Sequence, residues 1–404
     1  MRQALILAAL ITVVGIGHLA SAQDVWVYPV DPPVAPNYTQ IVNLTNPTMA
    51  QIQSWLNVGS VALRVHGTVS ALSGQRLIFN HDDVLLTFSL DSPINWSGSD
   101  TWGGFLEINA DRIKVHGLEF TILDSSPGKC RAVSMSSASD VYINQCRFNK
   151  IADAFNADGT FLRIRIELST FLNCSDWPDP DMNGGYGVYF EDDDAAADHL
   201  AILDVMITQN EGTYAAGQAA VRIGRGEQIL MQDCSIHADS NRCLRAYQVE
   251  NIAIRGCHFE KQSLQINTET DATFASTPTE HVRIEDCTFD HYGIFAPLTI
   301  MCGKITRDLR VRNCTGTSTT SSFFGSVGWR DDADGDGDPP YLGTESQDIN
   351  WLSGSFTFNG NTLFGCDDWD VSDDWSECEL EQQNIGPVDD FSETTEGCTP
   401  GFCP

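Results

Sequence analysis

The sequence predicts an all-β chain wound as a solenoid, a right-handed parallel β-helix of about ten coils. Three observations carry that expectation. First, an octet recurs in nine copies: IKVHGLEF (113–120), VYINQCRF (141–148), IRIELSTF (164–171), LAILDVMI (200–207), ILMQDCSI (229–236), IAIRGCHF (252–259), VRIEDCTF (282–289), LRVRNCTG (309–316) and INWLSGSF (349–356). Second, the copies start 28, 23, 36, 29, 23, 30, 27 and 40 residues apart, so the shortest coil takes 23 residues and every excess is loop. Third, a short strand precedes most copies, as in FLEIN (105–109), RAVSM (131–135), GVYFE (187–191), AVRIG (220–224), CLRAY (243–247), SLQIN (263–267) and PLTIM (297–301). Units of this length without helical period cannot bury their apolar faces alone and must stack.

Within the octet, places one and three are apolar and places two and four mostly polar, the period of a half-buried strand. Apolar residues resume at places six and eight, so one residue is spent on a bend before a second strand. The sixth place holds Leu118, Cys146, Ser169, Val205, Cys234, Cys257, Cys287, Cys314 and Gly354. That set asks for a small or apolar inward filler, and buried thiols without chemistry are expected there. Ahead of the coils, TMAQIQSWL (48–56) puts Ile52, Trp55 and Leu56 on one helical face. Such a helix would cap the open apolar end of the solenoid.

The termini read differently. Arg2, an apolar run from Ala4 to Ile16 and the small residues Ala20, Ser21 and Ala22 form a signal-peptide pattern. Cleavage after Ala22 and residence in the periplasm or outside the cell are expected. Residues 23–47 then form an extension, 48–360 the solenoid and 361–404 an acidic tail. The tail carries Cys366, Cys378, Cys398 and Cys403, whose spacing matches no common zinc pattern and suits two disulfides. With 13 cysteines in all, at least one is left out of any intramolecular pairing. No later stretch is long and apolar enough for a membrane helix, and a monomer is expected.

Charge narrows the partners. The chain has 55 acidic and 23 basic residues, a balance that electrostatically disfavours a nucleic-acid backbone as ligand, and none is expected. From Asp331 onward there are 19 Asp and Glu and no Lys, Arg or His.

A helix, then ALRVHGT (62–68), then coils of strand, turn and VxIxxCxF resembles the pectin-lyase-like superfamily of right-handed parallel β-helix proteins, over about residues 48–360. That superfamily includes polysaccharide lyases, glycoside hydrolases, epimerases and proteins without catalysis. The resemblance implies a fold, and a sheet face on which its enzymes take an extended sugar chain. Function has to be argued from the site itself.

Long insertions fall only on either side of the strand that precedes each octet, as in LNCSDWPDPDMNGGY (172–186) and DDDAAADH (192–199). Loops on both flanks of one sheet make a cleft. Alternation places Glu107, Ser134, Asn156, Tyr189, Arg222, Arg245, Gln265 and Thr299 in one outward column, and Asp158, Glu191, Tyr247 and Asn267 in the next. Tyr189, Arg222 and Arg245 are the catalytic candidates, with Tyr247, Gln265 and Asn267 as substrate-binding candidates. Arg222 and Arg245 either pair with Glu191 or Glu227 as a surface ladder or share an anion such as a uronate or sulfated sugar. The resemblance implies a Lys or Arg base that removes the proton α to a uronate carboxylate while Ca2+ or Arg neutralises it, and Tyr189 or Arg245 would serve here.

Asp158, Glu191 and Asp192 are candidate Ca2+ ligands. So are Asp334, Asp336, Asp338 and Glu345, although Pro339 stands where an EF-hand loop needs Gly. No grouped Asp pair of the hydrolase type lies on this face. Two functions follow: a carbohydrate-active protein, foremost a lyase acting on an acidic polysaccharide, or a non-catalytic secreted module that binds glycan or serves as surface structure.

Overall fold

The computed structural model describes residues 30–71, 74–96, 104–122, 131–150, 153–175, 186–190, 197–210, 219–224, 226–239, 242–247, 249–267, 279–292, 298–302, 306–318 and 325–329, with short strands at 347–348, 351–358, 361–364, 369–371 and 378–379. It is a right-handed parallel β-solenoid with one helix among these residues. Two ladders build it, a long sheet of 21 strands, parallel except where Asn361–Phe364 pairs antiparallel with Trp351–Phe358, and a parallel short sheet of 11. The octets form the long sheet, and the strands preceding them form the short one.

The bend inside the octet has a clear backbone origin. Place five carries a positive φ in seven copies: Gly117, Gln145, Leu168, Asp204, Asp233, Gly256 and Asp286, between 51° and 72°. A left-handed residue turns the chain sharply, which is why strand Val249–Arg255 stops before His258–Lys261 begins. The copies at 309–316 and 349–356 depart from this expectation. The first lies in the continuous strand Thr306–Ser318, and places three to eight of the second lie in Trp351–Phe358; their pairing absorbs the bend as a register shift between Val311 and Cys314.

The inward places stack as the period requires. At place eight, Phe120, Phe148, Phe171, Ile207, Ile236, Phe259 and Phe289 are register partners coil after coil, and all are buried. Phe148 and Phe171 stack at 5.3 Å between centroids with planes 8° apart. At place six, Cys146, Cys234, Cys257 and Cys287 are buried thiols rather than disulfides. Their Sγ–H groups donate to carbonyls two residues back, each at 3.3 Å. Burial pushes the Cys146 thiol up to about 12.

The expected count of about ten coils is not what the ladders show, since the short sheet alone has 11 rungs. Its outermost rungs, Leu77–Phe79 and Trp369–Val371, are three-residue strands too brief to stand out in sequence. The long ladder also begins early. Gln40–Thr45 pairs with Val61–Gly67, which pairs with Val84–Leu90, none of them an aligned octet.

The helix α1, Met49–Leu56, lies between the first two of these strands. Thr48 caps it: its Oγ1 accepts from the Gln51 amide at 3.3 Å, while Gln51 Oε1 accepts from the Thr48 amide at 2.8 Å. Met49, Ile52 and Leu56 join the core, and Trp55 packs against it.

Candidate functional site

The column expected to face outward is continuous in Cα register along the short sheet. Cα partners run Ile78, Glu107, Ser134, Asn156, Tyr189, Arg222, Arg245, Gln265, Thr299, Ser326 and Asp370. Parallel neighbours sit about 4.8 Å apart, so Tyr189, Arg222 and Arg245 occupy three consecutive rungs. Each is half-buried, flanked by inward residues such as Val188, Phe190, Val221 and Ile223 that pin the strands to the core.

Around Arg222 the column becomes a small aromatic and cationic cluster. Its Nη1 donates to the Tyr186 hydroxyl at 3.2 Å, and its Cζ lies 5.8 Å from the centroid of the Tyr189 ring. Tyr186 is buried and packs on Tyr189 with centroids 4.7 Å apart. One tyrosine thus fixes the guanidinium by a hydrogen bond and the other by its ring face. Gln265 is buried, with Oε1 accepting from Arg242 Nε at 2.9 Å.

The other candidates fall out unevenly. Tyr247 and Asn267 are Cα register partners two residues along from Arg245 and Gln265, and Asn267 pairs onward with Met301. Asp158 ends the strand Asp153–Asp158 opposite Ser136. Glu227 is not beside Arg222, because it sits in the long sheet between Asp198 and Glu250. Glu191, Asp192, Asp334, Asp336, Asp338 and Glu345 lie outside the described residues, as do the loops flanking Tyr189 and the cysteines Cys366, Cys398 and Cys403. Among the described residues no group of three or more His, Cys, Asp or Glu is placed to hold a metal ion, and no helix is long and apolar enough to cross a membrane.

Two further polar clusters lie on the long sheet. In the first, Tyr142 donates to Glu167 and accepts from Asn144 Nδ2 at 3.1 Å, with Lys114 Nζ 4.4 Å from its ring centroid. Arg165 grips Glu167 through two bonds of 3.0 Å. Burial and the Glu167 carboxylate push the Tyr142 hydroxyl up to about 12. In the second, both ring nitrogens of His237 face carboxylates at 3.0 Å, Asp239 through Nε2 and Glu260 through Nδ1, and Lys261 also reaches Asp239. Sequence reasoning missed this group because His237 and Glu260 are register partners at a ninth place, one beyond the aligned octet.

Fold and site together define a parallel β-helix that displays polar and cationic residues in columns along one sheet. A family profile described as "Right handed beta helix region" matches residues 131–333, and the chain belongs to that family. No curated protein sequence matches the chain. Among solved structures, an alginate lyase from Paenibacillus sp. str. FPU-7 is similar at 13% identity and a TM-score of 0.37, over 72% of this chain and 98% of that one. A polygalacturonase from Erwinia carotovora ssp. carotovora is similar at 11% and 0.37, over 89% and 98%. A mannuronan C-5 epimerase A-module from Azotobacter vinelandii is similar at 11% and 0.29, over 73% and 83%. At these scores no residue correspondence is drawn.

Proposed function

We propose that the chain is an exported carbohydrate-active β-helix protein that takes an acidic polysaccharide along the outward column of its short sheet. The observation that carries this reading is the succession Tyr189, Arg222, Arg245 on three adjacent rungs. Two guanidiniums one rung apart offer adjacent positive charges to an anion placed between them. Arg222 is oriented by Tyr186 and Tyr189, so it stays in place without a ligand. A uronate carboxylate bridging the two would lose its charge penalty, which is what lowers the barrier to removing the proton α to it.

β-Elimination then follows: the C–H bond next to the carboxylate breaks, a carbon–carbon double bond forms, and the bond to the leaving sugar oxygen breaks as that oxygen takes a proton. Arginine keeps its proton in proteins. In this reading Arg222 and Arg245 are therefore the neutralisers and Tyr189 the group that moves the proton. Ca2+, if held by Asp158, Glu191 and Asp192, would share the neutralising role.

A second reading is non-catalytic binding. It draws on the column itself, which from Ser134 to Thr299 offers no carboxylate, lysine or histidine. The two readings separate on incubation with alginate, pectate and chondroitin sulfate, with and without Ca2+, followed by the ultraviolet absorbance of unsaturated sugars. Product that vanishes in Tyr189→Phe supports the lyase. Polymer retained on an affinity gel without product supports binding alone, and neither outcome on any polymer removes the glycan from the proposal.

A further inference from the structure

A second interaction surface lies at the corner where each coil turns into its octet. A positive φ recurs just ahead of the first inward place of successive long-sheet strands: Asp83 at 64°, Arg112 at 56°, Asp140 at 60°, Arg163 at 57° and His199 at 57° are five of these residues, and Ser60, Gln228 and Asn251 extend the series at either end. The strands that follow them are consecutive partners in the long sheet, so these five side chains form one ladder up the solenoid. Acid and base alternate along it. Arg112 Nε and Nη2 hold the Asp83 carboxylate at 2.7 and 3.0 Å, and Arg163 Nε and Nη2 hold Asp140 at 2.6 and 2.9 Å.

The chain's own N-terminal segment, DPPVAPN (31–37), runs across this ladder. The amide of Asn37 donates to Asp83 Oδ1 at 2.8 Å, that of Val34 to Asp140 Oδ1 at 2.8 Å and that of Asp31 to His199 Nδ1 at 3.0 Å. The donors are three residues apart, and their acceptors are two coils apart. Burial has the same period: Val30, Pro33 and Pro36 are half-buried, while the residues between them are exposed.

Those two periods match for a physical reason. Proline fixes φ near −65°, and the residue before a proline is held extended, which covers Asp31, Pro32, Pro33, Ala35 and Pro36. The resulting polyproline-II helix has three residues per turn and advances about 9.3 Å per turn. Two coils of a parallel solenoid span about 9.6 Å. One turn of the strap therefore meets every second rung, and the skipped rungs carry the arginines that hold the acceptor carboxylates in place.

We infer that the corner ladder from Asp83 to His199 is a docking groove for a polyproline-II segment, occupied in cis by residues 31–37, which clasp five coils in register. The contacts span 46, 106 and 168 residues of sequence, so the strap seats only after those coils have stacked. Its far end holds His199, in the strand Ala197–Leu203 that follows Val188–Phe190 in the same coil, and so it braces the coil that carries Tyr189. The inference is independent of what the short sheet binds.

The test uses amide hydrogen exchange on the full mature chain, with Ala35 as internal reference because it shows no hydrogen bond among the described residues. In the parent protein the Val34 and Asn37 amides should exchange at least ten-fold more slowly than that of Ala35. A single Gly inserted between Ala35 and Pro36 should keep protection at Asn37, abolish it at Val34 and move it to Ala35, now three residues before Asn37, each amide being compared in this variant with its own rate in the urea-unfolded chain. Inserting Pro-Val-Ala at the same point restores the phase, so protection should return at the new valine three residues before Asn37. The insertions sit in an exposed segment, and far-ultraviolet dichroism verifies the fold. Unprotected amides in the parent, or the same protection pattern in both insertion variants, overturns the inference. As a separate check, Asp140→Ala should free the Val34 amide and leave that of Asn37 slow; loss at both, or at neither, also counts against it.

Discussion

Replacing Arg222 with alanine separates a binding row from a structural ladder, because the first loses affinity for an anion and the second loses only stability. In the free protein Arg222 and Arg245 are partners on adjacent rungs, about 4.8 Å apart at Cα. Like charges at that distance cost about 1 kcal/mol in water and about 3–4 kcal/mol at the dielectric of a protein surface. Both side chains are half-buried, so the cost falls between these limits. Truncation relieves it. Against that stand one hydrogen bond to Tyr186, about 1 kcal/mol, and the contact with the Tyr189 ring, about 0.5–1 kcal/mol. These two contacts and the relieved repulsion act in opposite directions on stability. Losing a charge-assisted contact to an anion, by contrast, costs about 1.5–3 kcal/mol, or roughly ten- to a hundred-fold in affinity. The assay pairs urea unfolding with calorimetric titration of whichever polymer binds, for Arg222→Ala, Arg245→Ala and the double variant. A shared anion makes the two affinity losses non-additive by at least about 0.5 kcal/mol. A stability loss above about 2 kcal/mol with unchanged affinity would refute the binding row and leave a surface ladder.

Three further outcomes are expected. Burial holds the Cys146 and Cys243 thiols up to about 12, so a disulfide reagent at pH 8 should not modify them in the native protein and should react once urea unfolds it; prompt native labelling at either position contradicts the packing. The Arg112 guanidinium and the Asn37 amide lower the Asp83 carboxyl against burial, and Arg163 and the Val34 amide outweigh burial at Asp140. Carboxyls lowered in the folded state contribute stability above their unfolded value of about 3.9 and lose it as pH falls; Asp140→Asn should therefore flatten the drop in stability between about pH 5 and 3, and an unchanged slope in acid denaturation excludes this carboxyl as a source. Gly117→Ala should destabilise more than Gly256→Ala, because the added Cβ would meet the Phe88 carbonyl oxygen at 2.6 Å in the first case and the movable Asp233 carboxylate at 2.4 Å in the second. Both pay about 1–2 kcal/mol for the left-handed backbone, so equal losses in urea unfolding would show that the carbonyl contact yields freely.

What was legible in the sequence is what the period of a strand enforces. Inward places must be apolar in every coil, so Ile252, Ile254, Cys257 and Phe259 mark their own register, and the outward column from Glu107 to Thr299 follows by counting. The first rungs escaped because QIVNLT and VLLTFSL share only the initial alternation of the octet and not its bend. His237 and Glu260 escaped for a related reason, since a ninth place has no meaning until the second strand's length is known.

The strap lay furthest from view, and its chemistry explains why. Nothing in DPPVAPN is apolar enough to mark it as packed, since its hold comes from backbone amides that any sequence possesses. The acceptors were equally anonymous. Asp140 and His199 precede octets, and Asp83 the strand Val84–Leu90, as loop residues would, and a left-handed φ at a charged residue leaves no mark beyond the preference of Asp and Asn for it. Only the geometric coincidence of a three-residue turn with two coils joins them. A solenoid thus hides from sequence reading whatever runs along its axis, because the repeat that discloses each coil runs around it.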